Sequence, residues 1–453
     1  QTCGNCRRLE VHVIKVVKFG GSSLASAEQF AKVGNIIRAD KERKFVVPSA
    51  PGKRNSKDTK VTDMLYACYA LAEADEDFRV PLMKIKDRYD SIINGLKLNL
   101  SLEEEFKIIT ENFKAKAGSD YAASRGEYLN GIIMANYLGY EFIDAAEVIF
   151  FEEEGAFDAD KTHKVLSKRL EKMENAVVPG FYGSNPDGSI RTFSRGGSDI
   201  TGSIVAKACN ASMYENWTDV SGFLMADPRI VKKPKQIASI SYKELRELSY
   251  MGASVLHEDA IYPARMANVP INIRNTNAPE DPGTMITAEA VHLESEDEPI
   301  ITGIAGSKDF TVVALYKNMM SSERGFVRRI LGVLDDYNVN FEHLPSGIDT
   351  VSVVMSNQSI GDRLDEIVDA FRTRLQPDSI DVIEDVALIA TVGHRMSYRP
   401  GVSAKLFTAL GDAEVNIRMI DQGSSEMNII VGVDNKDFQK AIRAIYNAFV
   451  EEE

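Results

Sequence analysis

The sequence is poor in the features that build disulfide scaffolds, membrane spans or nucleic-acid surfaces. Its 453 residues contain only four cysteines, too few for a disulfide framework, which favours a reducing compartment and a cytoplasmic location. No run of about 18 apolar residues occurs, so no membrane span is expected, and the N-terminal residues lack a signal-peptide pattern. Lysine and arginine total 53 against 67 acidic residues, a net charge of −14, which argues against nucleic acid as the main partner.

The cysteines and histidines give little basis for a metal site. Cys3 and Cys6 form a single CxxC pair, with no second pair and no nearby histidine to complete a zinc ligand set. The six histidines are scattered along the chain. We therefore expect residues 1–12 to be an irregular extension, and we assign no metal ligands to the protein itself.

The first half of the chain alternates strand and helix patterns. Residues 13–19 form an apolar strand pattern that ends in Gly-Gly. A helix follows, with Ser26 and Gln29 as a capping box, and another apolar run lies at 45–47. Strand, helix and strand in this order predict an α/β fold with a largely parallel sheet. At about 150 residues per domain, the length predicts roughly three domains.

Two segments are predicted to interrupt the regular elements. A long helical region covers much of 62–138, and its polar segment 124–127 (Ser-Arg-Gly-Glu) is predicted to be a break between helices. The acidic, loop-like sequence at 289–299 is predicted to separate the first half from the remainder.

The C-terminal third contains an internal repeat. A glycine, a leucine and an asparagine recur at one offset of 76 residues: 325 and 401, 334 and 410, 340 and 416. Each copy has a strand pattern, a glycine that opens a helix, a loop and a second strand. Two related α/β units of this kind are expected to pack together.

Two glycine-rich turns before predicted helices are candidate anion sites. They are residues 18–23 (Lys-Phe-Gly-Gly-Ser-Ser) and 194–199 (Ser-Arg-Gly-Gly-Ser-Asp). Glycines let backbone amides approach a phosphate, and a helix N-terminus favours negative charge. Lys18 adds a cation to the first turn. In the second, Arg195 suits a carboxylate, and Asp199 suits an ammonium group or a metal. Neither turn matches a P-loop or a dinucleotide fingerprint, and a tight turn or a helix cap would explain each one alone.

Polar residues also follow a patterned segment at 211–216. Trp217, which we expect in the core, precedes Thr218 and Asp219, and Asp-Pro-Arg follows at 227–229. Polar groups beyond strand ends line the ligand edge of open α/β sheets. No Ser-His-Asp nucleophile system is evident in the sequence. The anion turns, cations and carboxylates suit phosphoryl transfer, which relies on positioning and charge neutralisation.

The order of these motifs resembles that of the aspartokinases, members of the amino acid kinase superfamily. The matching segments are 18–24, 124–127, 194–199, 217–220, 227–229 and 251–257. The C-terminal repeat resembles the paired ACT domains of that family. The resemblance implies an amino acid kinase-type three-layer α/β sandwich with a largely parallel sheet over residues 13–295. Two ferredoxin-like ACT domains would follow, over 296–380 and 381–453.

The resemblance also implies an activity and a site. The family phosphorylates the side-chain carboxylate of L-aspartate with ATP, giving 4-phospho-L-aspartate and ADP, on the pathway to lysine, threonine and methionine. Lys18 and Asp199 would be the catalytic residues. The aspartate site would comprise Ser49, Thr62, Glu127, Arg195, Ser198 and Asp199. The nucleotide site would comprise Lys18, Gly20, Gly21, Ser22, Thr218, Asp219 and Arg229. Mg²⁺ would bridge the phosphates with few direct protein ligands.

Three positions depart from what the resemblance predicts or bear on its geometry. Some relatives carry a lysine where this chain has Ser254 and a tyrosine where it has Leu224, which implies different nucleotide contacts. Pro48 lacks an N–H and removes one possible donor at the end of a predicted strand. None of the three belongs to the predicted catalytic pair, so activity is still expected.

ACT domains of this family bind amino acid effectors and pair between chains. The resemblance therefore implies feedback inhibition and a homodimer or homotetramer, with L-lysine as the first candidate effector and threonine as the second. The predicted effector site in the first repeat comprises Gly325, Phe326, Val327, Glu342, Ser346 and Asp349. Helix amides there would bind a carboxylate, and the acidic groups would suit a cationic side chain.

Two other functions remain open at this point. Another amino acid kinase, acting on acetylglutamate or a nucleoside monophosphate, is disfavoured by the paired repeat and by the Ser-Arg-Gly-Gly-Ser-Asp turn. A non-catalytic amino acid sensor would have a degenerate kinase half, and the intact Lys18 and Asp199 argue against it.

Overall fold

The computed structural model describes residues 13–194, 196–252, 256, 258–289 and 300–450. Apart from these gaps, the chain forms two compact units, one of residues 13–223, 238–242 and 256–289, the other of 224–237, 243–252 and 300–450. Several predictions fall outside the described residues, namely those for residues 1–12 with Cys3 and Cys6, for Arg195, for Ser254 and for the acidic segment 290–299.

The first unit is built from alternating strands and helices, as predicted. Its strands are β1 (Lys15–Phe19), β2 (Arg43–Pro48), β3 (Glu141–Phe142), β4 (Ala176–Val177), β5 (Tyr182–Ser184), β6 (Ile190–Thr192), β7 (Met213–Thr218), β8 (Ser239–Ser241), β9 (Ile271–Asn275) and β10 (Thr284–Thr287). The helices in residues 13–289 are α1 (Ala27–Arg38), α2 (Val61–Glu73), α3 (Arg79–Gly95), α4 (Glu103–Lys114), α5 (Ser119–Leu138), α6 (Ala145–Val148), α7 (Ala159–Leu170), α8 (Gly197–Ala208), α9 (Tyr242–Tyr250) and α10 (Glu258–Met266). From residue 243 onward, α9 belongs to the second unit.

The main sheet has the order β3-β4-β2-β1-β7-β9-β10-β8. Neighbouring strands pair in parallel, except that β9 and β10 are antiparallel. A separate antiparallel hairpin joins β5 to β6 through the Asn-Pro-Asp-Gly segment at 185–188, whose residue types favour a turn. The prediction of an α/β fold with a largely parallel sheet is confirmed.

Helices cover both faces of this sheet. Because side chains alternate along a strand, Val17 and Phe19 of β1 face one side, where they are buried with Phe30 and Val33 of α1. Lys18 faces the other side and pairs there with a residue of α8. Two helical layers around one sheet make the predicted three-layer sandwich. Ser26 caps α1 as predicted, accepting a hydrogen bond from the backbone N–H of Gln29.

The predicted break at 124–127 is wrong, because that segment lies inside the continuous helix α5. Its polar side chains are buried rather than solvated. The guanidinium of Arg125 lies 4.7, 4.3 and 5.4 Å from the ring centres of Tyr121, Tyr128 and Tyr182. Such cation–π contacts satisfy a buried cation. The sequence pattern could not show them, because Tyr182 is distant along the chain.

The second unit carries an antiparallel sheet with helices. Its strands are β11 (Gly303–Tyr316), β12 (Thr350–Ser356), β13 (Ser379–Val392), β14 (Ile417–Asp421) and β15 (Asn428–Asp434), in the order β12-β11-β13-β15-β14. Its further helices are α11 (Phe326–Asp336), α12 (Asn357–Ile360), α13 (Leu364–Leu375), α14 (Val402–Asp412) and α15 (Phe438–Val450).

The repeat predicted at an offset of 76 residues is present as structure. The bounds of β11 and β13 differ by that offset, and so do those of α11 and α14. Gly325 and Gly401 precede the two helices with φ of 78° and 92°, a left-handed conformation that explains glycine at both positions. The strands β11 and β13 pair with each other from end to end, which joins the two repeats in one sheet. This arrangement confirms the predicted pair of related α/β units that pack together.

In the described ranges, no helix has both the length and the apolar character that a membrane crossing requires.

Candidate active site

A cavity of about 240 Å³ opens in the first unit beside the ends of β1 and β2. It is lined by Lys18, Gly20, Gly21, Ser49, Thr62, Glu127, Phe181, Gly196, Gly197, Ser198 and Asp199. Every predicted catalytic or aspartate-binding residue that the structure describes lines this cavity. Arg195 is the one member of those predicted sets that lies outside the described residues.

Parallel strand ends bring these segments together. The backbone N–H of Gly20, just after β1, donates to the carbonyl of Trp217 at the end of β7, at 3.0 Å. The N–H of Ser49, just after β2, donates to the carbonyl of Phe19 at 3.1 Å. Carboxyl ends of parallel strands meet at one edge of a sheet, which is where open α/β sheets bind ligands. Residues far apart in sequence therefore share one site.

A charged cluster lies at the centre of the cavity. The Nζ atom of Lys18 lies 2.6 Å from Oδ1 of Asp199. Asn216 joins both residues: its Oδ1 accepts from Lys18 at 3.3 Å and its Nδ2 donates to Asp199 at 2.8 Å. Lys18 is 7% exposed and Asn216 is 3% exposed. Charge-assisted hydrogen bonds of this kind hold a buried ammonium group in a fixed direction.

The helix α8 begins at Gly197, inside the segment 194–199 that was predicted to be a turn before the helix. Gly196 has φ of 61° and turns the chain into the helix. Ser198 and Asp199 therefore lie in its first turn, where backbone N–H groups have no partner within the helix. This turn can donate hydrogen bonds to a negatively charged ligand.

Glu127 enters the cavity from the middle of α5. Its side chain is buried, and its Oε2 atom has no hydrogen-bond partner among the described residues. Burial raises the pKa of Glu127 to about 8. One turn further along, Asn130 donates from Nδ2 to the carbonyl of Ser49 at 2.6 Å and fixes that segment. The site thus holds a carboxylate that would gain from a cationic ligand.

Sequence reasoning missed Asn216 and Phe181. Asn216 is a buried polar residue inside β7, and its position directly before Trp217 was the available clue. Phe181 has φ of 82°, which is rare for an aromatic residue. Its N–H donates to Oγ1 of Thr201 at 3.0 Å, a contact that helps to hold this conformation. Nothing in the local sequence predicts it.

Three residues of the predicted nucleotide set in the first unit do not line this cavity: Ser22, Thr218 and Asp219. Arg229 lies in the second unit, where its exposed side chain pairs with Asp227 at 2.6 Å. The roles assigned to these four residues stay predictions. Trp217 is 1% exposed, so the prediction that it belongs to the core is confirmed.

The predicted effector residues lie around the opening of α11 and in the segment before β12. Phe326 is buried and Val327 is 41% exposed. Glu342 accepts a hydrogen bond on Oε2 from the hydroxyl of Tyr250 at 2.5 Å. Burial and this carboxylate raise the pKa of Tyr250 to about 12. Glu342 is therefore already engaged by a neutral donor.

Comparison with known proteins also distinguishes the first half of the chain from its C-terminal part. The amino acid kinase family matches residues 14–275, and an ACT domain matches residues 389–449. The chain is 37% identical to aspartokinase 3 of Bacillus subtilis over 451 residues, which cover 96% of this chain and 98% of that protein. The chain belongs to the aspartokinase family. It is an enzyme of the aspartate kinase class with a regulatory ACT region.

Solved aspartokinase structures are similar over nearly the whole chain. The aspartate kinase of Clostridium acetobutylicum is 52% identical, with a TM-score of 0.90, over 97% of this chain and 100% of that one. The R-state of Escherichia coli aspartokinase III with aspartate and ADP is 26% identical, with a TM-score of 0.72, over 97% and 100%. Its T-state with lysine and aspartate is 25% identical, with a TM-score of 0.71, over 96% and 99%.

Proposed function

We propose that this aspartokinase transfers the γ-phosphoryl group of ATP to the side-chain carboxylate of L-aspartate. A carboxylate oxygen attacks the γ-phosphorus, the bond to the β–γ bridging oxygen breaks, and 4-phospho-L-aspartate and ADP result. The observation that carries the proposal is the fixed Lys18 ammonium between two glycine turns in the same cavity as buried Glu127. An aspartate carboxylate is ionised at neutral pH, so the attack needs no general base.

Lys18 and the glycine turns supply charge stabilisation. The ammonium of Lys18 neutralises charge on the transferring phosphoryl group, and Asp199 and Asn216 orient it. The backbone at Gly20 and Gly21 can approach the phosphates closely because no side chain intervenes. We extend this nucleotide site to Ser22, Thr218, Asp219 and Arg229 on the family resemblance alone.

The aspartate substrate would bind through complementary charges. Glu127 would accept its α-ammonium group, and Ser49, Thr62 and Ser198 would donate or accept through their hydroxyls. Arg195 is proposed to grip the α-carboxylate with its planar guanidinium. Among the described residues that line the cavity, Lys18 is the only cation, and it is already paired with Asp199. The lining therefore leaves the buried Glu127 without a cation of its own.

Mg²⁺ is proposed as the metal that accompanies ATP. In the part of the chain that the structure describes, no cluster of three or more His, Cys, Asp and Glu residues could hold a metal alone. Such an ion would be held mainly by phosphate oxygens and water, and Asp199 is a carboxylate of the cavity lining that could contribute to holding it. When bound, the ion would neutralise phosphate charge.

We further propose that L-lysine inhibits the enzyme through the first ACT repeat, with threonine as the second candidate effector. The lysine-bound T-state of the Escherichia coli aspartokinase III supports lysine. The effector site would comprise Gly325, Phe326, Val327, Glu342, Ser346 and Asp349. The enzyme would form a homodimer or homotetramer through its ACT domains and serve the synthesis of lysine, threonine and methionine.

A coupled ADP-release assay with Mg-ATP tests the proposal. ADP release that requires L-aspartate and that L-lysine suppresses would support both assignments, and a reaction without aspartate is the control. Turnover that L-lysine does not suppress would support the kinase reaction and favour threonine as the effector. No turnover by folded protein would contradict the reaction and favour an amino acid sensor.

A further inference from the structure

The helix α3 contributes no residue to the cavity lining, yet two of its adjacent side chains hold the segments that do. Nη2 of Arg88 donates to the carbonyl of Gly52 at 2.6 Å. The hydroxyl of Tyr89 donates to the carbonyl of Gly126, next to Glu127, at 2.7 Å. Arg88 is 5% exposed and Tyr89 is fully buried. Two buried donors of one helix therefore reach the backbone beside two lining residues, at Gly52 beside Gly21 and at Gly126 beside Glu127.

Gly52 lies directly against the first glycine turn. Its N–H donates to the carbonyl of Gly21 at 2.8 Å. A Cβ atom on Gly52 would lie 2.5 Å from the carbonyl carbon of Gly21, and one on Gly21 would lie 2.8 Å from the carbonyl oxygen of Ala50. The two backbones are packed without room for side chains. A shift of Gly52 toward the turn would therefore displace Gly21.

The loop that follows Gly52 is tied to the same arginine by one carboxylate. Oδ2 of Asp58 forms an ion pair with Nη1 of Arg88 at 2.8 Å, and Asp58 accepts hydrogen bonds from Nε of Arg54 at 2.8 Å and from the backbone N–H of Arg54 at 2.9 Å. The hydrogen bond from Arg54, with the charge of Arg88, holds the pKa of Asp58 well below its usual range. Arg88 thus joins both ends of the loop, at Gly52 and at Asp58.

We propose that Arg88 is a positioning residue for phosphoryl transfer, which fixes the glycine turn at Gly21 through Gly52. The proposal rests on the proposed function, in which that turn holds the ATP phosphates. Backbone donors aid a transition state only when they are held to within a fraction of an ångström. A planar guanidinium bonds two acceptors at once, here a carboxylate and a carbonyl, and lysine is a poor substitute for that geometry.

The test compares Arg88→Met and Arg88→Lys with Arg79→Met. Arg79 lies at the start of the same helix, but it is exposed and pairs only with Asp77 among the described residues. We expect Arg88→Met to lower kcat by about tenfold to a hundredfold and to raise KM for ATP more than KM for aspartate. Arg88→Lys should recover part of the loss, and Arg79→Met should stay within about twofold of wild type.

Arg54→Met provides a second route if Arg88→Met does not fold. Arg54 is exposed, and its loss removes two side-chain hydrogen bonds from Asp58, at 2.8 and 3.1 Å, without opening the core. The same kinetic changes are expected, to a smaller extent. Folded Arg54→Met and Arg88→Lys enzymes with wild-type kcat and wild-type KM for ATP would overturn the positioning role.

Calorimetric ADP affinity, measured without aspartate, separates this proposal from the proposed reaction. Weaker ADP binding by the Arg88 variants, together with wild-type protein that cannot phosphorylate aspartate, would contradict the proposed reaction but keep Arg88 as the residue that fixes the nucleotide-binding turn at Gly21. If the wild-type enzyme is active, and the Arg88 variants keep its ADP affinity and its turnover, the positioning role of Arg88 is contradicted and the proposed reaction is not.

Discussion

The Nζ atom of Lys18 lies 2.6 Å from Oδ1 of Asp199, and the side chain of Asn216 bonds to both residues. Lys18 comes from the end of a strand and Asp199 from the first turn of a helix about 180 residues later. The pair holds a buried cation beside two glycine turns. Its loss should therefore affect chemistry more than folding.

Lys18→Met should lower kcat by about a hundredfold to a thousandfold, because it removes the group that neutralises the transferring phosphoryl charge. The assay is ADP release at saturating Mg-ATP and L-aspartate. Lys15→Met is the matched control, since Lys15 lies on the same strand but pairs with Asp40 and Glu42, at 2.7 and 2.9 Å. Near-normal kcat for folded Lys18→Met would remove Lys18 from the chemical step.

The raised pKa of Glu127 predicts a pH-dependent KM for aspartate. Burial raises this pKa to about 8 in the free enzyme, and only the ionised carboxylate attracts the ammonium group of aspartate. The ionised fraction falls about tenfold per pH unit below that pKa, so KM for aspartate should rise by about tenfold from pH 7 to pH 6. It should level off above about pH 8.

Steady-state kinetics from about pH 6 to pH 9 would measure this slope, with KM for ATP as the internal control. Glu127→Gln should raise KM for aspartate and abolish its slope. A slope that survives in Glu127→Gln would assign the titration to another group.

Glu342 should control the response to lysine. Glu342→Gln keeps an acceptor for the Tyr250 hydroxyl but loses the negative charge, so the half-inhibitory lysine concentration should rise by about tenfold or more. Tyr250→Phe keeps the charge and frees it from a hydrogen bond, so inhibition should strengthen. Turnover without lysine should stay within about twofold in both variants. Unchanged inhibition in Glu342→Gln would exclude that residue from the effector site.

Glu244 should stabilise the second unit. It is fully buried and accepts from Oγ1 of Thr302 at 2.6 Å and from the backbone N–H of His394 at 2.8 Å. Glu244→Ala removes a buried acceptor that two donors share and should lower the free energy of unfolding by about 2–4 kcal/mol. Thermal unfolding followed by circular dichroism measures the loss. Glu247→Ala is the milder comparison, because Glu247 is only partly buried and bonds Asn428. Equal midpoints for both variants would contradict the role of Glu244.

The fold was largely predictable because its determinants are local. Alternating strand and helix patterns predicted the parallel sheet. The offset of 76 residues predicted the paired helices and strands of the second unit. The prediction failed at 124–127, where the polar residues were interpreted as a break between two helices. Their helix is continuous because tyrosine rings and the cavity, not solvent, surround those side chains.

The site, like the fold, was predictable from the sequence only in part. The sequence by itself determined which glycines, cations and carboxylates were available, and their order placed Lys18, Glu127 and Asp199 among the candidates. Only the tertiary structure decided that Asn216 joins Lys18 to Asp199, that Glu127 is buried enough to raise its pKa, and that Arg88 holds Gly52. Burial and hydrogen-bond partners depend on segments brought together from distant parts of the chain, and no local pattern encodes those contacts.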